Sequence, residues 1–340
     1  MNNIFVYCEI TENFKVADVS LELISKGRKL ADELSVKLEA LVIGNNLSTV
    51  QDQLAPYGVD VIHLAEHKEL LPYRNLPHSA IVCKVFRDEK PEIALFGATS
   101  VGRDIAPRIA SALQCGLTAD CTSLEIGDHT EAKSGKVYKN LLYQIRPAFG
   151  GNIIATIINP ETRPQMASVR EGVMKLEPVA TPKRATVKLV DVDKILKPEH
   201  LVVKIIERHI ETQKINLKGA QIIVAGGYGV GSKENFALLE DLATTLGGEV
   251  AATRAAVDAG YVEHERQVGQ TGVTVRPKLY IACGISGAVQ HRAGMDQSVK
   301  IISINTDEKA PINSIADYTI IGDVAKVLPK MISYYKKHSK

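Results

Sequence analysis

The 340-residue sequence contains no apolar run long enough to cross a membrane and no segment with the character of a secretory leader. Its most apolar stretches, such as residues 301–304, have the length of a strand, whereas a transmembrane helix needs about 20 residues. The start, residues 1–9, lacks the charged head, apolar middle and small-residue cleavage site of a signal peptide. We therefore expect a protein without membrane insertion that stays in the cytoplasm.

The sequence also lacks an excess of charge of either sign. It has 41 Lys and Arg against 39 Asp and Glu, and its net charge is +2. Non-specific binding of DNA or RNA needs a dense positive field, so nucleic acid is not expected as a partner. The five cysteines are scattered and form no Cys-x-x-Cys pair. The sequence therefore does not indicate a disulfide framework, a zinc site or an iron–sulfur site. We expect reduced and mostly buried thiols.

Catalytic signatures are missing as well. The sequence shows no Ser–His–Asp set, no paired carboxylates and no metal-ligand spacing. We therefore assign no catalytic residue and no metal ligand, and the missing acid–base constellation counts against a self-contained NAD-dependent oxidoreductase.

The composition, with 45% hydrophobic and 24% charged residues, is that of an ordinary α/β protein of about two domains. Strand-like runs alternate with amphipathic helical stretches such as residues 18–34, which predicts a parallel sheet covered by helices. The strand-like runs are residues 4–8, 38–43, 61–64 and 93–96. Closely spaced extended runs then predict an antiparallel extension of the same domain, at residues 121–126, 137–146 and 152–158.

A predicted helix over residues 198–213 leads to a second α/β alternation, and we place the domain boundary near residue 208. The second alternation predicts a compact Rossmann-like domain. Its predicted strands are residues 221–225, 249–251, 279–282, 301–304 and 318–321, and its predicted helices are residues 233–246, 286–293 and 323–335. The expected organisation is an N-terminal α/β domain over residues 1–208, a C-terminal domain over 209–335 and a frayed tail over 336–340.

A glycine-rich turn, GGYGVGSK at residues 226–233, joins the first strand of the second domain to its first helix. Such a turn can bring backbone N–H groups close to a pyrophosphate. It matches neither Gly-x-Gly-x-x-Gly nor the P-loop, because Ser232 precedes Lys233. A plain structural turn is an equal alternative.

Three further segments follow strands of the same domain, where open α/β sheets bind their ligands. They are Arg254 after one strand, the polar loop 267–272, and a second glycine turn with a helix start at 283–291. Two cradles in one small domain favour a dinucleotide. Each residue has a plainer alternative: Arg254 as a surface ion pair, His291 as an exposed helix residue, residues 270–272 as a turn, and Asn305 and Asp323 as turn or cap residues.

The first domain carries a similar strand end at residues 96–108, FGATSVGRDIAPR. It predicts either another nucleotide cradle or, as we favour, a capped helix start in which Arg103 is ion-paired.

Several of these motifs resemble the alpha subunit of the electron transfer flavoproteins. In the second domain they are RAAVD at 254–258, QVGQTG at 267–272, ISGAVQH at 285–291 and AGM at 293–295. In the first domain they are FGATSVGRD at 96–104, GLTAD at 116–120 and RPAFGGN at 146–152. The resemblance implies a heterodimer with a beta subunit, FAD held mainly by the second domain, and a first domain that has lost nucleotide binding and packs on the partner. It also implies electron shuttling to or from a dehydrogenase such as an acyl-CoA dehydrogenase.

The resemblance also implies residue roles, with Arg254 near the isoalloxazine, Thr271 at the flavin N5 and His291 near N1 and the C2 carbonyl. Reduction of a flavin places negative charge along N1 and C2=O, which a nearby cation or strong donor stabilises. The complete set of expected cofactor-binding residues is Thr253, Arg254, Val268, Gly269, Gln270, Thr271, Ser286, Gly287, Ala288, Val289, Gln290, His291, Asn305, Asp323 and Val324.

Two points stay open. Tyr228 stands in the glycine-rich turn where the family commonly has Arg. Residues 274–277, TVRP, are similar to members that perform flavin-based electron bifurcation, in which the beta subunit carries a second FAD and accepts NADH; a surface ion pair of Arg276 is the alternative. A different class of function, a regulatory module that binds ATP or NAD through residues 226–233 and the first-domain cradle, is the competing hypothesis.

Overall fold

The computed structural model describes residues 2–148, 153–208, 215, 217 and 219–338. The chain divides into two compact units, one of residues 1–148 and 154–208 and one of residues 149–153 and 209–340. Among the described residues, no helix is both long and apolar enough to cross a membrane.

The N-terminal unit is built on a seven-stranded parallel sheet. The strands of this unit, which belong to the large sheet or to a smaller one, are β1 (Ile4–Cys8), β2 (Leu38–Gly44), β3 (Val61–Glu66), β4 (Ile93–Gly97), β5 (Leu117–Cys121), β6 (Ser123–Thr130), β7 (Val137–Ala148), β8 (Ile153–Ile157), β9 (Gln165–Val169) and β10 (Thr186–Leu189). Its helices are α1 (Asp18–Leu34), α2 (Val50–Leu54), α3 (Asn75–Glu89), α4 (Ser100–Leu113) and α5 (Val192–Ile195). The large sheet has the order β10-β3-β2-β1-β4-β9-β5, and its paired strands are parallel.

The central strand β1 explains why both faces of this sheet are covered. Ile4, Val6 and Cys8 pack into one hydrophobic cluster, and Phe5 and Tyr7 into the other. Alternate residues of a strand point to opposite faces, so an all-apolar strand needs helices on both sides. Strands β6, β7 and β8 form a separate three-stranded sheet in which β6 and β7 are antiparallel. The predicted fold class, including the antiparallel extension, is confirmed.

The strand-order reversal of the large sheet, between β1 and β4, is closed by side chains. The Thr99 hydroxyl donates to the Glu9 carboxylate at 2.6 Å and accepts from the backbone N–H of Gly102 at 2.9 Å, which caps α4. Arg103 is ion-paired with Asp120 at 3.0 Å. The helix start is therefore capped and ion-paired, as we favoured.

The C-terminal unit is a five-stranded parallel sheet with helices. Its strands are β11 (Ile222–Gly226), β12 (Glu249–Ala252), β13 (Leu279–Cys283), β14 (Ile301–Asn305) and β15 (Tyr318–Ile321). Its helices are α6 (Lys233–Leu246), α7 (Arg254–Asp258), α8 (Val289–Arg292) and α9 (Val324–His338). The order β12-β11-β13-β14-β15 reverses direction between β11 and β13, and a crevice at such a reversal is the usual ligand site of an open α/β sheet.

Three predicted helices differ in extent from the structure. Residues 198–200 form a single 3-10 turn and residues 201–208 have no regular secondary structure, while 209–213 lie outside the described residues. Val202, Val203 and Ile206 are exposed there, so the apolar side chains lack the packed surface that stabilises most helices. The helix predicted over 286–293 is reduced to α8. Helix α9 runs on to His338, through residues that we had assigned to a tail.

Four of the five cysteines are buried, Cys115 is half-buried, and all five are free thiols. This confirms the expectation that the cysteines are mostly buried.

Candidate functional site

A cavity of about 740 Å³ opens along the carboxyl ends of the C-terminal sheet. Its volume is in the range of about 300–1,000 Å³ that is usual for small-molecule and cofactor sites. Residues following each of the five strands line it. They are Gly227, Tyr228, Gly229, Thr253, Arg254, Ala255, Asp258, Val268, Gly269, Gln270, Thr271, Gly284, Ile285, Ser286, Ala288, Gln290, His291, Asn305, Thr306, Asp307, Ala310, Pro311, Gly322, Asp323 and Val324.

In the first glycine turn, two backbone N–H groups are already used within the protein. The N–H of Gly227 donates to the Cys283 carbonyl at 2.9 Å, and the N–H of Gly229 donates to the Gly284 carbonyl at 3.1 Å. Gly284 has a φ of +60°, and a Cβ at Gly227 would lie 2.2 Å from the Gly284 carbonyl oxygen. The glycines are therefore required because two turns interlock through their backbones.

The second turn, between β13 and α8, keeps its donors free. Among the described residues, the backbone N–H groups of Ser286, Gly287 and Ala288 have no hydrogen-bond acceptor. Gly287 has a φ of +87°, and the Ser286 carbonyl is held by the N–H of Ile312 at 3.0 Å. Successive free N–H groups around a left-handed residue form an anion-binding concavity. This turn can hold a phosphate.

Arg254 is the cation among the described lining residues. It begins α7, its side chain is 69% exposed, and its Nε lies 3.4 Å from a carboxylate oxygen of Asp258, which also lines the cavity. Thr253 caps the same helix by accepting from the N–H of Ala256 at 3.4 Å. The ion pair that we considered as the plainer alternative is present, and Arg254 nevertheless faces the cavity.

His291 is buried and locked by two hydrogen bonds. Its Nδ1 lies 3.0 Å from the Val268 carbonyl oxygen, which can only accept, so Nδ1 carries the proton. Nε2 then accepts from the Tyr280 hydroxyl at 3.0 Å. Burial lowers the pKa of His291 to about 4, so the imidazole is neutral at physiological pH. The alternative of an exposed helix residue is wrong.

The polar loop 267–272 is held by hydrogen bonds within the loop and to α8. The Gln267 amide donates to the Thr271 hydroxyl at 2.9 Å, and the N–H of Gln270 donates to the Gln290 carbonyl at 2.7 Å. The Thr271 oxygen accepts from Gln267, so its O–H proton is not used in this bond, and Thr271 lines the cavity.

The predicted site residues come together at this cavity with two exceptions. Gly287 supports the second turn without lining the cavity, and Val289 is 44% exposed to solvent. Sequence reasoning missed Thr306 and Asp307, although they directly follow Asn305 at the end of β14. It also missed Ala310 and Pro311, for which the sequence carries no signal.

Comparison with known proteins identifies both parts of the chain. Residues 4–195 match the model of the electron transfer flavoprotein domain, and residues 216–296 match that of the electron transfer flavoprotein FAD-binding domain. The second match includes the cavity residues from Gly227 to His291.

Full-length relatives agree with these matches. The chain is 48% identical to Protein FixB of Clostridium saccharobutylicum, over 98% of this chain and 96% of the relative. It is 44% identical to an electron transfer flavoprotein subunit alpha of Thermoanaerobacterium thermosaccharolyticum, over 98% of each chain. It is 42% identical to an acryloyl-CoA reductase electron transfer subunit beta of Anaerotignum propionicum, over 98% of this chain and 96% of the relative.

Proposed function

Because this chain belongs to the alpha subunits of the electron transfer flavoproteins, we propose that the cavity beside the β11–β13 reversal holds its FAD and that electrons pass through this flavin. The protein binds FAD, and a bound flavin supplies one- and two-electron transfer. The observation that carries the assignment is a single cavity lining with free phosphate-binding N–H groups, a hydroxyl donor and a cation. The residues present fit the cofactor.

The strand order supports an extended orientation of FAD. Neighbouring strands lie about 4.8 Å apart, so the five strand ends extend over about 19 Å. Arg254 follows β12 at one end of the row, and Asp323 follows β15 at the other. We therefore assign the isoalloxazine to the Arg254 end, the pyrophosphate to the free N–H groups of residues 286–288, and the adenosine to Asn305 and Asp323.

Each side chain at the flavin end has a distinct task. The Arg254 guanidinium stabilises negative charge on the reduced ring system. The Thr271 hydroxyl donates a hydrogen bond. His291 is neutral and spends both ring nitrogens on Tyr280 and Val268, so in this arrangement it shapes the cavity wall and offers no charge to the flavin.

The family pairs an alpha with a beta subunit, and we propose the same heterodimer here. We further propose that electrons go to or come from a flavin dehydrogenase of the acyl-CoA dehydrogenase type. The name of the Anaerotignum relative, which associates that protein with acryloyl-CoA reductase, supports this choice. Bifurcation, with a second FAD on the beta subunit, is a finer proposal that flavin counting decides.

The regulatory-module hypothesis is weakened by two observations. The N-terminal strand-order reversal is filled by Glu9 and Thr99, and the N–H groups of Gly227 and Gly229 are already bonded to carbonyls. In both of the turns on which that hypothesis rests, part of the donors is therefore already used within the protein.

The test is to co-express the chain with its beta subunit and to measure the visible spectrum and the nucleotide content of the purified heterodimer. We expect a yellow protein with flavin absorption. One FAD and one AMP indicate simple transfer, and two FAD indicate bifurcation. A colourless protein that binds ATP or NAD contradicts the proposal.

A further inference from the structure

The loop 306–311, which follows β14, forms part of the cavity wall, and Asn313 lies just beyond it. Residues 306–310 form no helix or strand. Asn313 belongs to the 3-10 turn Pro311–Ser314 and is not one of the residues that line the cavity. The lining residues of the loop are Thr306, Asp307, Ala310 and Pro311. The shape of this part of the wall therefore depends on contacts other than those of a helix or a strand.

The side-chain amide of Asn313 ties this loop to the sheet. Its Oδ1 accepts from the hydroxyl of Ser303, a fully buried residue of β14, at 2.7 Å. Its Nδ2 donates to the carbonyl oxygens of Asp307 and Glu308, both at 3.1 Å. Carbonyl oxygens can only accept, so the NH2 end of the amide must face the loop. One side chain therefore links a buried strand to the middle of the loop.

The backbone next to Asn313 supports the turn that follows β13. The N–H of Ile312 donates to the Ser286 carbonyl at 3.0 Å, and Ile312 is fully buried. A Cβ at Gly287 would lie 2.3 Å from the Ile312 nitrogen, so the two segments approach each other backbone to backbone. A shift of the loop would therefore also move the turn whose free N–H groups the proposed function assigns to the pyrophosphate.

The place of the loop in the row of strand ends selects the half of FAD that it adjoins. The loop follows β14, which lies between β13 and β15 and three strands away from β12, the strand that precedes Arg254. The proposed function assigns the isoalloxazine to the Arg254 end, the pyrophosphate to the turn after β13, and the adenosine to Asn305 and Asp323. The loop therefore adjoins the ADP half of the cofactor.

On the basis of the proposed function, we propose that Asn313 is a positioning residue, which holds the loop 306–311 and the turn 286–288 in the arrangement that binds the ADP half of FAD. Asn313 acts through these two segments and is not itself a cofactor-binding residue. Its three hydrogen bonds order the wall before the cofactor arrives, so less conformational freedom is lost on binding.

The experiment uses the full chain, freed of its flavin, and measures the affinities for FAD and for ADP by titration. Asn313→Ala removes all three hydrogen bonds. Asn313→Asp has nearly the same size and keeps the acceptor for Ser303, but its carboxylate cannot donate to the two loop carbonyls. The control is Ser314→Ala, because Ser314 is an exposed residue of the same turn whose hydroxyl donates within the turn, to the Pro311 carbonyl at 2.8 Å.

We expect both Asn313 variants to bind ADP and FAD about tenfold more weakly, because the loop then has to be ordered on binding. Ser314→Ala should stay close to the wild type. The visible absorption spectrum of FAD bound at saturation should be the same in every variant, because the isoalloxazine lies at the other end of the cavity. Circular dichroism and the thermal midpoint fix a temperature at which each variant is folded for the titrations.

Three results would overturn the inference. Wild-type affinities in both Asn313 variants would mean that the hydrogen bonds do not position the site. A loss of FAD affinity without a loss of ADP affinity, or a changed spectrum of the bound flavin, would mean that the loop serves the isoalloxazine half. An equal loss in Ser314→Ala would mean that any change in this turn has the same effect. A wild-type chain that binds no FAD at all would instead contradict the proposed function.

Discussion

Arg254 and Asp258 stand one helical turn apart on α7 and line the same cavity, so the charge that Arg254 brings to the flavin is partly offset before any cofactor binds. Both side chains are about two-thirds exposed, where an ion pair contributes little to stability. The main effect of the pair is therefore on the electrostatic potential of the cavity, and it contributes little to the stability of the fold.

The first prediction is that Arg254→Gln lowers the reduction potential of the bound flavin, because negative charge on the reduced ring loses its cation. We expect a shift on the order of 60 mV, which for one electron is a tenfold change in the equilibrium constant. Asp258→Asn is the matched variant, and it should raise the potential because it leaves Arg254 unopposed. Redox titration of the heterodimer measures both. Shifts of the same sign in the two variants would disprove this electrostatic role.

His291 lies at the expected cavity, but its imidazole is neutral and both of its ring nitrogens are already hydrogen-bonded within the protein. The resemblance places it at the flavin N1 and C2 carbonyl, and the structure confirms only that it lines the cavity. The carbonyl of Val268 selects the tautomer with the proton on Nδ1, and Tyr280 occupies Nε2. Its role toward FAD stays a prediction.

At the scale of elements, the interlocked turns after β11 and β13 hold the reversal point together. Their contacts are backbone to backbone, which leaves no room for side chains between Gly227 and Gly284. The stability of the C-terminal unit and the shape of the cavity therefore depend on the same few atoms.

We predict that Gly227→Ala destabilises the C-terminal unit, because the added Cβ would lie 2.2 Å from the Gly284 carbonyl oxygen and must push the turns apart. Overpacking of this kind costs roughly 1–3 kcal/mol. The control is Gly322→Ala at the edge of the same cavity, where the added Cβ meets only the Val327 side chain, at 3.0 Å. Urea unfolding of the full chain compares the variants. Equal stabilities of the two variants would show that the turns are not tightly interlocked.

At the scale of the whole molecule, each of the two units buries a neutral histidine. His78 lies in the N-terminal unit with Nδ1 at 2.9 Å from the Arg74 carbonyl, and burial lowers its pKa to about 4. His291 in the C-terminal unit has the same lowered pKa for the same reason. Both units therefore carry a titration that opposes folding in weak acid.

The sign follows from the proton count. Between the ordinary pKa of about 6.5 and the folded value of about 4, the unfolded chain binds one more proton at each histidine than the folded chain does. Stability is complete above this window and is lost as the pH falls through it. We expect each histidine to cost its unit about 2 kcal/mol at pH 5 relative to pH 8.

Urea unfolding at several pH values measures this loss, and His78→Gln and His291→Gln serve as the variants. Each substitution should reduce the pH dependence of its own unit and leave that of the other unchanged. The wild-type slope is the reference because other groups also contribute to it, among them the half-buried Glu9, whose pKa is raised by burial. A variant with the wild-type slope would contradict the assignment.

Much of this protein could be predicted from its sequence. A short continuous apolar run located β1, and helical periodicity located α1 and α6, each to the residue. These signals are local, because the burial of an element determines which residue types occupy its neighbouring positions. The motifs at 254–258, 267–272 and 285–291 predicted the family and its FAD, and the rule that ligands bind at strand ends predicted their common cavity. The domain boundary, the cytoplasmic location and the residue roles stay predictions.

Only the tertiary structure decided which backbone and side-chain groups of these motifs remain available to a ligand. The N–H of Gly227 is bonded to a carbonyl 56 residues away, the imidazole of His291 is neutralised by burial beside Tyr280, and Ala310 and Pro311 reach the cavity through the chain path after β14. The helix predicted from residue 198 is not formed over 201–208, where the apolar side chains of Val202, Val203 and Ile206 are exposed and lack the packing that stabilises most helices. Periodicity is a local property, whereas the partner of a donor and the burial of a ring depend on segments that are distant in the chain.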